Sequence, residues 1–258
     1  MAWSGCYKKL LPYVFAVETP EGSGSGFFLA YNDTKKIVAF ATAAHVVEHA
    51  QDWKLPIKLR HHTTGKESFL SDENRFIMLD RRRDSAVIIT GNTEFELPAE
   101  VLPMIPADKF KAIGTEVGWV GYPSIAAPHL CFFTGRLSGF IDKDDSYLID
   151  GVAINGVSGG PVFSSLKDDQ PQLLGTVSAY MPNRIRGDAL PGLLRAQDVT
   201  AFHNAIKSIQ SLDEARRKNE EEEAKKLQQQ QVAENPPAAA NTDGKGAPNG
   251  NTQTIAFR

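Results

Sequence analysis

Short apolar or alternating runs, each broken by turn residues, fill the chain from about residue 10 to residue 200. They fall at residues 13–17, 25–30, 37–42, 57–60, 85–90, 115–121, 131–137, 147–150, 160–164 and 173–179. Val, Ile, Phe and Leu dominate them, and glycine, proline and paired Asn-Asp or Asp-Asp separate them. Residues of that kind pack well on a pleated, half-buried surface, so the pattern predicts many short strands and few helices. The fold class it implies is all-β, a sandwich or a barrel. Residues 97–106 hold three prolines and read as an extended crossing between two β units. The boundary near residues 97–112 leaves a first unit at about 10–97 and a second at about 112–196, with no repeat relating them.

Beyond Gln197 the period changes. Val199, Phe202, Ile206 and Ile209 share one helical face, which predicts a helix over about 198–210. Asp198 or Thr200 is placed to cap it, and its apolar face is expected on the second β unit. Residues 211–233 carry Glu221–Lys225 and Glu222–Lys226 pairs but few apolar positions. They read as a charged, solvated helical extension without a heptad seam. Residues 234–258 are rich in Pro, Ala, Asn, Gly and Thr. That composition cannot bury enough apolar surface to offset ordering entropy, so disorder is expected there.

Apolar residues make up 41% of the chain, enough for a packed core. Net charge is −3 and the isoelectric point about 6.1, so no nucleic-acid partner is expected. The run Arg81, Arg82, Arg83 reads as a solvated turn before a buried strand. Cys6 and Cys131 lie far apart without metal spacing, which fits reduced thiols and a cytoplasmic setting rather than a disulfide framework. No signal-peptide pattern opens the chain, and no stretch is apolar enough to predict a membrane span. A homo-oligomer or a partner held through the C-terminal helix and tail is the association the sequence suggests.

Three motifs carry chemistry. Residues 156–161, Gly-Val-Ser-Gly-Gly-Pro, place Ser158 in a loop of small residues. Glycines bend the backbone tightly and let neighbouring N–H groups converge on one space. A serine hydroxyl is a weak nucleophile and needs a base. His45, in Thr-Ala-Ala-His-Val, is the candidate base, since imidazole exchanges protons near neutral pH. Asp84, in Arg-Asp-Ser-Ala-Val-Ile, is the candidate orienter, because a carboxylate on the other ring nitrogen fixes the tautomer. The order His, Asp, Ser is one of the known chain orders for this constellation.

Taken together, these motifs resemble the trypsin-like (chymotrypsin-fold) serine peptidases over about residues 10–209. The Gly24-Ser-Gly-Phe-Phe28 run and the lack of disulfides are most similar to the bacterial HtrA/Deg-type branch, here expected without a PDZ domain. The resemblance implies two perpendicular antiparallel six-stranded β-barrels with a cleft between them, followed by the C-terminal helix. It would put His45 and Asp84 on the first barrel and Ser158 on the second. It implies endopeptidase activity on protein or peptide substrates, no cofactor and no metal. The oxyanion hole would use the backbone N–H groups of Gly156 and Ser158. The substrate would meet Val152, Ser178, Ala179 and Tyr180, with Ser178 beside Asp84 or along the substrate backbone. Two departures matter. Val157 stands where secreted digestive relatives carry an aspartate that pairs with a freshly cut N-terminus, so the loop is expected to be held by substrate or a partner. Val152, at the expected base of the pocket, is not acidic, which points to small or medium apolar side chains rather than Lys or Arg.

Other readings compete. His45-Val-Val-Glu48-His49 fits a zinc peptidase pattern, H-x-x-E-H, but residues 37–42 read as strand rather than helix. A catalytically quiet protein-binding relative would share the fold. Asp80 is an alternative orienter. Glycines 22, 24 and 26 read as a turn into a strand, not a phosphate loop. His61, His62 and His203 are expected at the surface, while His129 has a place near the cleft open to it.

Overall fold

The computed structural model describes residues 3–91, 95–152, 154–166, 169–185 and 188–234, and for residues 182–191 and 230–234 the backbone alone. The expected disorder falls, apart from Glu234, outside the described residues.

The strands are β1 (Val14–Thr19), β2 (Gly22–Tyr31), β3 (Ile37–Thr42), β4 (Ile57–His61), β5 (Glu67–Leu70), β6 (Arg75–Asp80), β7 (Ser85–Gly91), β8 (Glu116–Gly121), β9 (Cys131–Ile141), β10 (Ser146–Asp150), β11 (Pro161–Ser165), β12 (Pro171–Ile185) and β13 (Asp188–Asp198). Helices α1 (Trp3–Leu10), α2 (Ala44–Asp52) and α3 (Thr200–Glu234) complete the chain. β1 to β7 form one antiparallel sheet in the order β5-β4-β1-β2-β3-β7-β6. β8 to β13 close into a barrel in the order β10-β13-β12-β11-β8-β9. This is the chymotrypsin-like arrangement, with one amendment. The first unit has seven strands rather than six and curls without pairing its edges, β5 and β6.

Alternation sets the faces. In β4, Ile57, Leu59 and His61 point inward while Lys58 and Arg60 point out. Parity therefore buries His61, which was expected at the surface. Its Nε2–H donates to the Pro12 carbonyl at 2.8 Å, and its Nδ1 accepts from the Thr64 hydroxyl at 3.0 Å. Burial lowers its pKa and keeps it neutral. Phe15, Phe28 and Phe40 fill the first sheet's core, and Trp119, Tyr147 and Leu137 the barrel's. Each such side chain contributes about 1.5–3 kcal/mol on burial.

Strands β5, β6 and β13 and helix α1 were not expected. β6 carries a charge at an inward position, Arg75, which hides its strand pattern. Two of its guanidinium nitrogens donate to the carbonyls of Leu70 at 2.6 Å and Ala50 at 3.0 Å, which partly offsets the cost of burying the group.

Helix α3 begins where the Asp198 carboxylate accepts the Thr200 N–H and hydroxyl, at 3.0 and 2.8 Å. The face of Val199, Phe202, Ile206 and Ile209 is expected on the second β unit; Phe202, Ala205 and Ile209 of α3 are buried, with Val199 just before it and Ile206 partly covered. This face packs on both units, because Phe27, Leu29 and Ala39 of the first sheet share the same core. Asp213 accepts from Asn32 Nδ2 at 3.1 Å and the Asp33 N–H at 2.8 Å. One compact unit ends at Asp213 and a second begins at Glu214. In the second, Arg216 pairs with Glu220 at 3.6 Å, one helical turn on. Among the described residues, no helix is long and apolar enough to cross a membrane.

Candidate active site

Asp84 organises the first wall of the site. It sits in the turn between β6 and β7 with φ +46, a left-handed conformation that aspartate tolerates better than most residues. Helix α2 starts after Ala43, which has no side chain able to cap it. Asp84 caps it from a distance. Its carbonyl accepts the Ala44 N–H at 3.1 Å, and its Oδ1 accepts the His45 N–H at 3.0 Å. The same carboxylate accepts the His45 Nδ1–H at 2.9 and 3.0 Å. Backbone and ring of His45 are thus fixed by one side chain. The Ser178 hydroxyl donates to Asp84 Oδ2 at 2.6 Å, and Arg195 Nη2 donates to Ser178 Oγ at 3.2 Å.

The electrostatics follow. The hydrogen bond to Asp84 raises the His45 pKa above its ordinary value, against burial and the Arg195 charge. Burial works against ionising Asp84, but the hydrogen bond and charge of His45, with the Ser178 hydroxyl, outweigh it and hold the carboxyl below its ordinary value. In its neutral form the imidazole commits its Nδ1–H to this carboxylate and carries its lone pair on Nε2. The His45 side chain keeps 48% of its surface exposed against 17% for Asp84, so the free edge of the ring is the accessible one.

Arg81, Arg82 and Arg83 are not a merely solvated turn. Arg81 pairs with Glu48 at 2.5 Å and Asp52 at 2.8 Å, both on α2. Arg82 and Arg83 reach Asp145 of the barrel at 2.8 and 2.6 Å. These pairs brace the Asp84 turn against α2 and against the second unit. Asp80 accepts from the Arg83 N–H and guanidinium, both at 3.0 Å, so it is spent there and does not orient His45.

The second wall is the serine loop between β10 and β11. A cleft of about 340 Å³ is lined by His45, Ile154, Asn155, Ser158, Val177, Ser178, Ala179 and Tyr180. Ser158 and His45 thus share one cavity although they come from different β units. Among the described residues, no hydrogen bond joins the Ser158 hydroxyl to His45. The hydrogen-bonded row runs Arg195–Ser178–Asp84–His45 and ends there. Gly156 has φ +91, and a Cβ on it would lie 2.3 Å from the Tyr122 carbonyl, so only glycine fits. Gly24 of β2 faces the same loop: a Cβ there would sit 2.9 Å from the Ser158 carbonyl. Among the described residues, neither the Gly156 nor the Ser158 N–H donates a hydrogen bond.

Of the residues expected to meet substrate, Ser178, Ala179 and Tyr180 line the cleft, while Val152 does not and is 57% exposed. Ile154 and Asn155, nearer to Ser158 in the chain, line the cleft instead. Arg195, Asp145, Ser25 and Ser124 also bear on the site and were not singled out. Ser25 alone carried a signal, a serine between two glycines of β2.

Residues 37–42 are strand β3, as read, and the zinc pattern falls on the short helix that follows, where His45 and His49 both belong to α2. Glu48, however, is paired with Arg81, and His45 Nδ1 with Asp84. Among the described residues, no three His, Cys, Asp or Glu side chains gather as metal ligands.

A family model described as a trypsin-like peptidase domain matches residues 24–168, more than half of the chain. No curated protein sequence matches it. Among solved structures the chain is similar to the serine endoprotease from Yersinia pestis, with TM-score 0.60 and 16% identity over 81% of this chain and 66% of that one. It is similar to the HtrA-type protease AlgW, solved with a tripeptide, with TM-score 0.60 and 16% identity over 81% and 64%. Deg5 gives TM-score 0.53 and 19% identity over 73% and 87%. The chain spans just under two thirds of the length of the first two, and at these identities the likeness is one of fold. Because the matched stretch runs from the glycines of β2 past Ser158, the chain belongs to the trypsin-like peptidase domain family, with HtrA/Deg-type serine proteases as structural neighbours.

Proposed function

We propose that this chain is a serine endopeptidase that cleaves protein or peptide substrates through an acyl-enzyme. The observation that carries the reading is the shared cleft: a carboxylate-held imidazole and a serine hydroxyl open onto one cavity from two β units. Ser158 Oγ attacks the scissile carbonyl while His45 Nε2 takes its proton. Asp84 holds the tautomer and stabilises the imidazolium without taking the proton. The carbonyl oxygen becomes an oxyanion that accepts the N–H groups of Gly156 and Ser158. His45 then gives its proton to the leaving amine, the C–N bond breaks, and Ser158 remains acylated. Water attacks the ester, gives a proton to His45, and the proton returns to Ser158 as the acid leaves.

Among the described residues the cleft walls contain Ile154, Asn155, Val177, Ala179 and Tyr180 and no carboxylate. Lys or Arg at the cleavage site would find no counter-charge there, so the preference is for small or medium apolar side chains.

A catalytically quiet peptide-binding relative has one observation on its side, the missing Ser158–His45 hydrogen bond. Such bonds are commonly long or unformed before substrate arrives. An alkyl fluorophosphonate separates the two readings. Labelling of the wild-type chain and none of Ser158→Ala is expected, with a loss of about 10⁶ in turnover for that variant. An unlabelled wild type leaves the quiet relative standing.

A further inference from the structure

We propose that Ser25 and Ser124 are positioning residues that hold the serine loop from within the folded chain, Ser124 turning the Gly156 N–H into the cleft and Ser25 fixing the peptides that follow Gly156 and Ser158. The inference rests on the serine-peptidase reading and says what makes that loop competent.

Successive carbonyls of the loop are each tied down. The Asn155 carbonyl accepts from the Ser124 N–H at 2.8 Å and the Ser124 hydroxyl at 3.0 Å. The Gly156 carbonyl accepts from the Ser25 hydroxyl at 2.8 Å. The Ser158 carbonyl accepts from the Ser25 N–H at 2.7 Å, and the Val157 carbonyl from the Gly160 N–H at 3.0 Å. In a trans peptide the C=O and the following N–H point in opposite directions. Fixing the Asn155 oxygen on Ser124, which is not a wall of the cleft, therefore aims the Gly156 N–H the other way. The Val157 oxygen does the same for the Ser158 N–H.

Glycine makes this clamp necessary. At Gly156 the backbone has wide conformational freedom, so sterics alone do not stop the 155–156 peptide from turning over. Its orientation is decided by hydrogen bonds. Val157 is fully buried and apolar, so it offers no charge to anchor the loop. Ser25 fills that role. Its side chain is fully buried, donates to Gly156 and accepts the Tyr122 N–H at 2.9 Å. Its carbonyl accepts the Thr42 hydroxyl at 2.7 Å. One residue of β2 thus ties together the serine loop, the barrel and the strand that leads to His45.

The test uses the full chain and an alkyl fluorophosphonate, whose phosphoryl oxygen needs the same donors as a peptide oxyanion, together with kcat and KM on a peptide library. Ser25→Ala is expected to slow labelling and lower kcat by about 10- to 100-fold, less than the 10²–10³ of losing an oxyanion donor outright, with KM little changed. Ser124→Ala keeps its backbone donor and is expected to lose about 3- to 10-fold, again in kcat. Thr90→Val removes a remote hydroxyl bond to the Asn74 carbonyl (2.8 Å) and is expected to label at the wild-type rate. If Ser25→Ala does not fold, Ser124→Ala decides, since its hydroxyl is exposed. Wild-type rates in a folded Ser25→Ala, or in Ser124→Ala when it is the deciding variant, overturn the inference while leaving the peptidase reading intact. An unlabelled wild type overturns both.

Discussion

On the first sheet His45 is held by a side chain. Asp84 caps its helix, bonds its ring and sets its pKa. On the closed barrel the Ser158 loop is held by peptide groups, glycines and the hydroxyls of Ser25 and Ser124, with no charge taking part. The difference tracks what each wall contributes. Proton transfer needs a tuned titratable group, and tuning comes from neighbouring charges and hydrogen bonds. Oxyanion binding needs fixed dipoles, and those are aimed by turning the backbone. Damage to the first wall should therefore show in pH profiles, and damage to the second in rate without any titration signature.

The largest test of this contrast after removal of the nucleophile is Asp84→Asn. It keeps the shape but favours the wrong tautomer, and kcat is expected to fall about 10⁴-fold. The His45 pKa, followed by NMR, should fall as well, because the bond that raises it is lost. A loss under tenfold would mean that His45 is oriented by something else. Next comes Gly156→Ala. Its Cβ would meet the Tyr122 carbonyl at 2.3 Å in a left-handed backbone, so the loop must shift. Fluorophosphonate labelling should slow by about 10²–10³ while His45 titrates unchanged. A moved His45 titration would show that the two walls are not separately held.

The smallest effect concerns pH. His45 works as a base only when neutral, and its pKa is raised. Activity is therefore absent at low pH and appears as pH climbs through a midpoint above the ordinary histidine value. Arg195 lowers that pKa through its charge, so Arg195→Met should move the midpoint further up, opposite in sign to Asp84→Asn. A kcat–pH profile that does not move would remove Arg195 from the account.

Much of this was legible in the residues. The motifs around His45, Asp84 and Ser158 could be read because their chemistry demands particular side chains at particular spacings. The strands with continuous apolar runs, such as β3 and β7, were legible for the same local reason. β6 was hidden by its buried Arg75, and His61 by a polar neighbourhood that its parity overrides. Val152 stands outside the cleft lining, since which side chains form a pocket wall depends on tertiary placement and not on counting back from a serine.

What the chain determines by itself is therefore its all-β class, the break between two β units and the three side chains proposed for acyl transfer, since each depends on local pattern or intrinsic reactivity. The closure of one sheet and not the other, the end of the hydrogen-bonded row at His45, and the service of Arg195, Asp145, Ser25 and Ser124 were settled only in three dimensions. Those depend on contacts between segments as far apart as Ser25 and Gly156, or Ser178 and Asp84, and no local pattern records which distant carbonyl a hydroxyl will find.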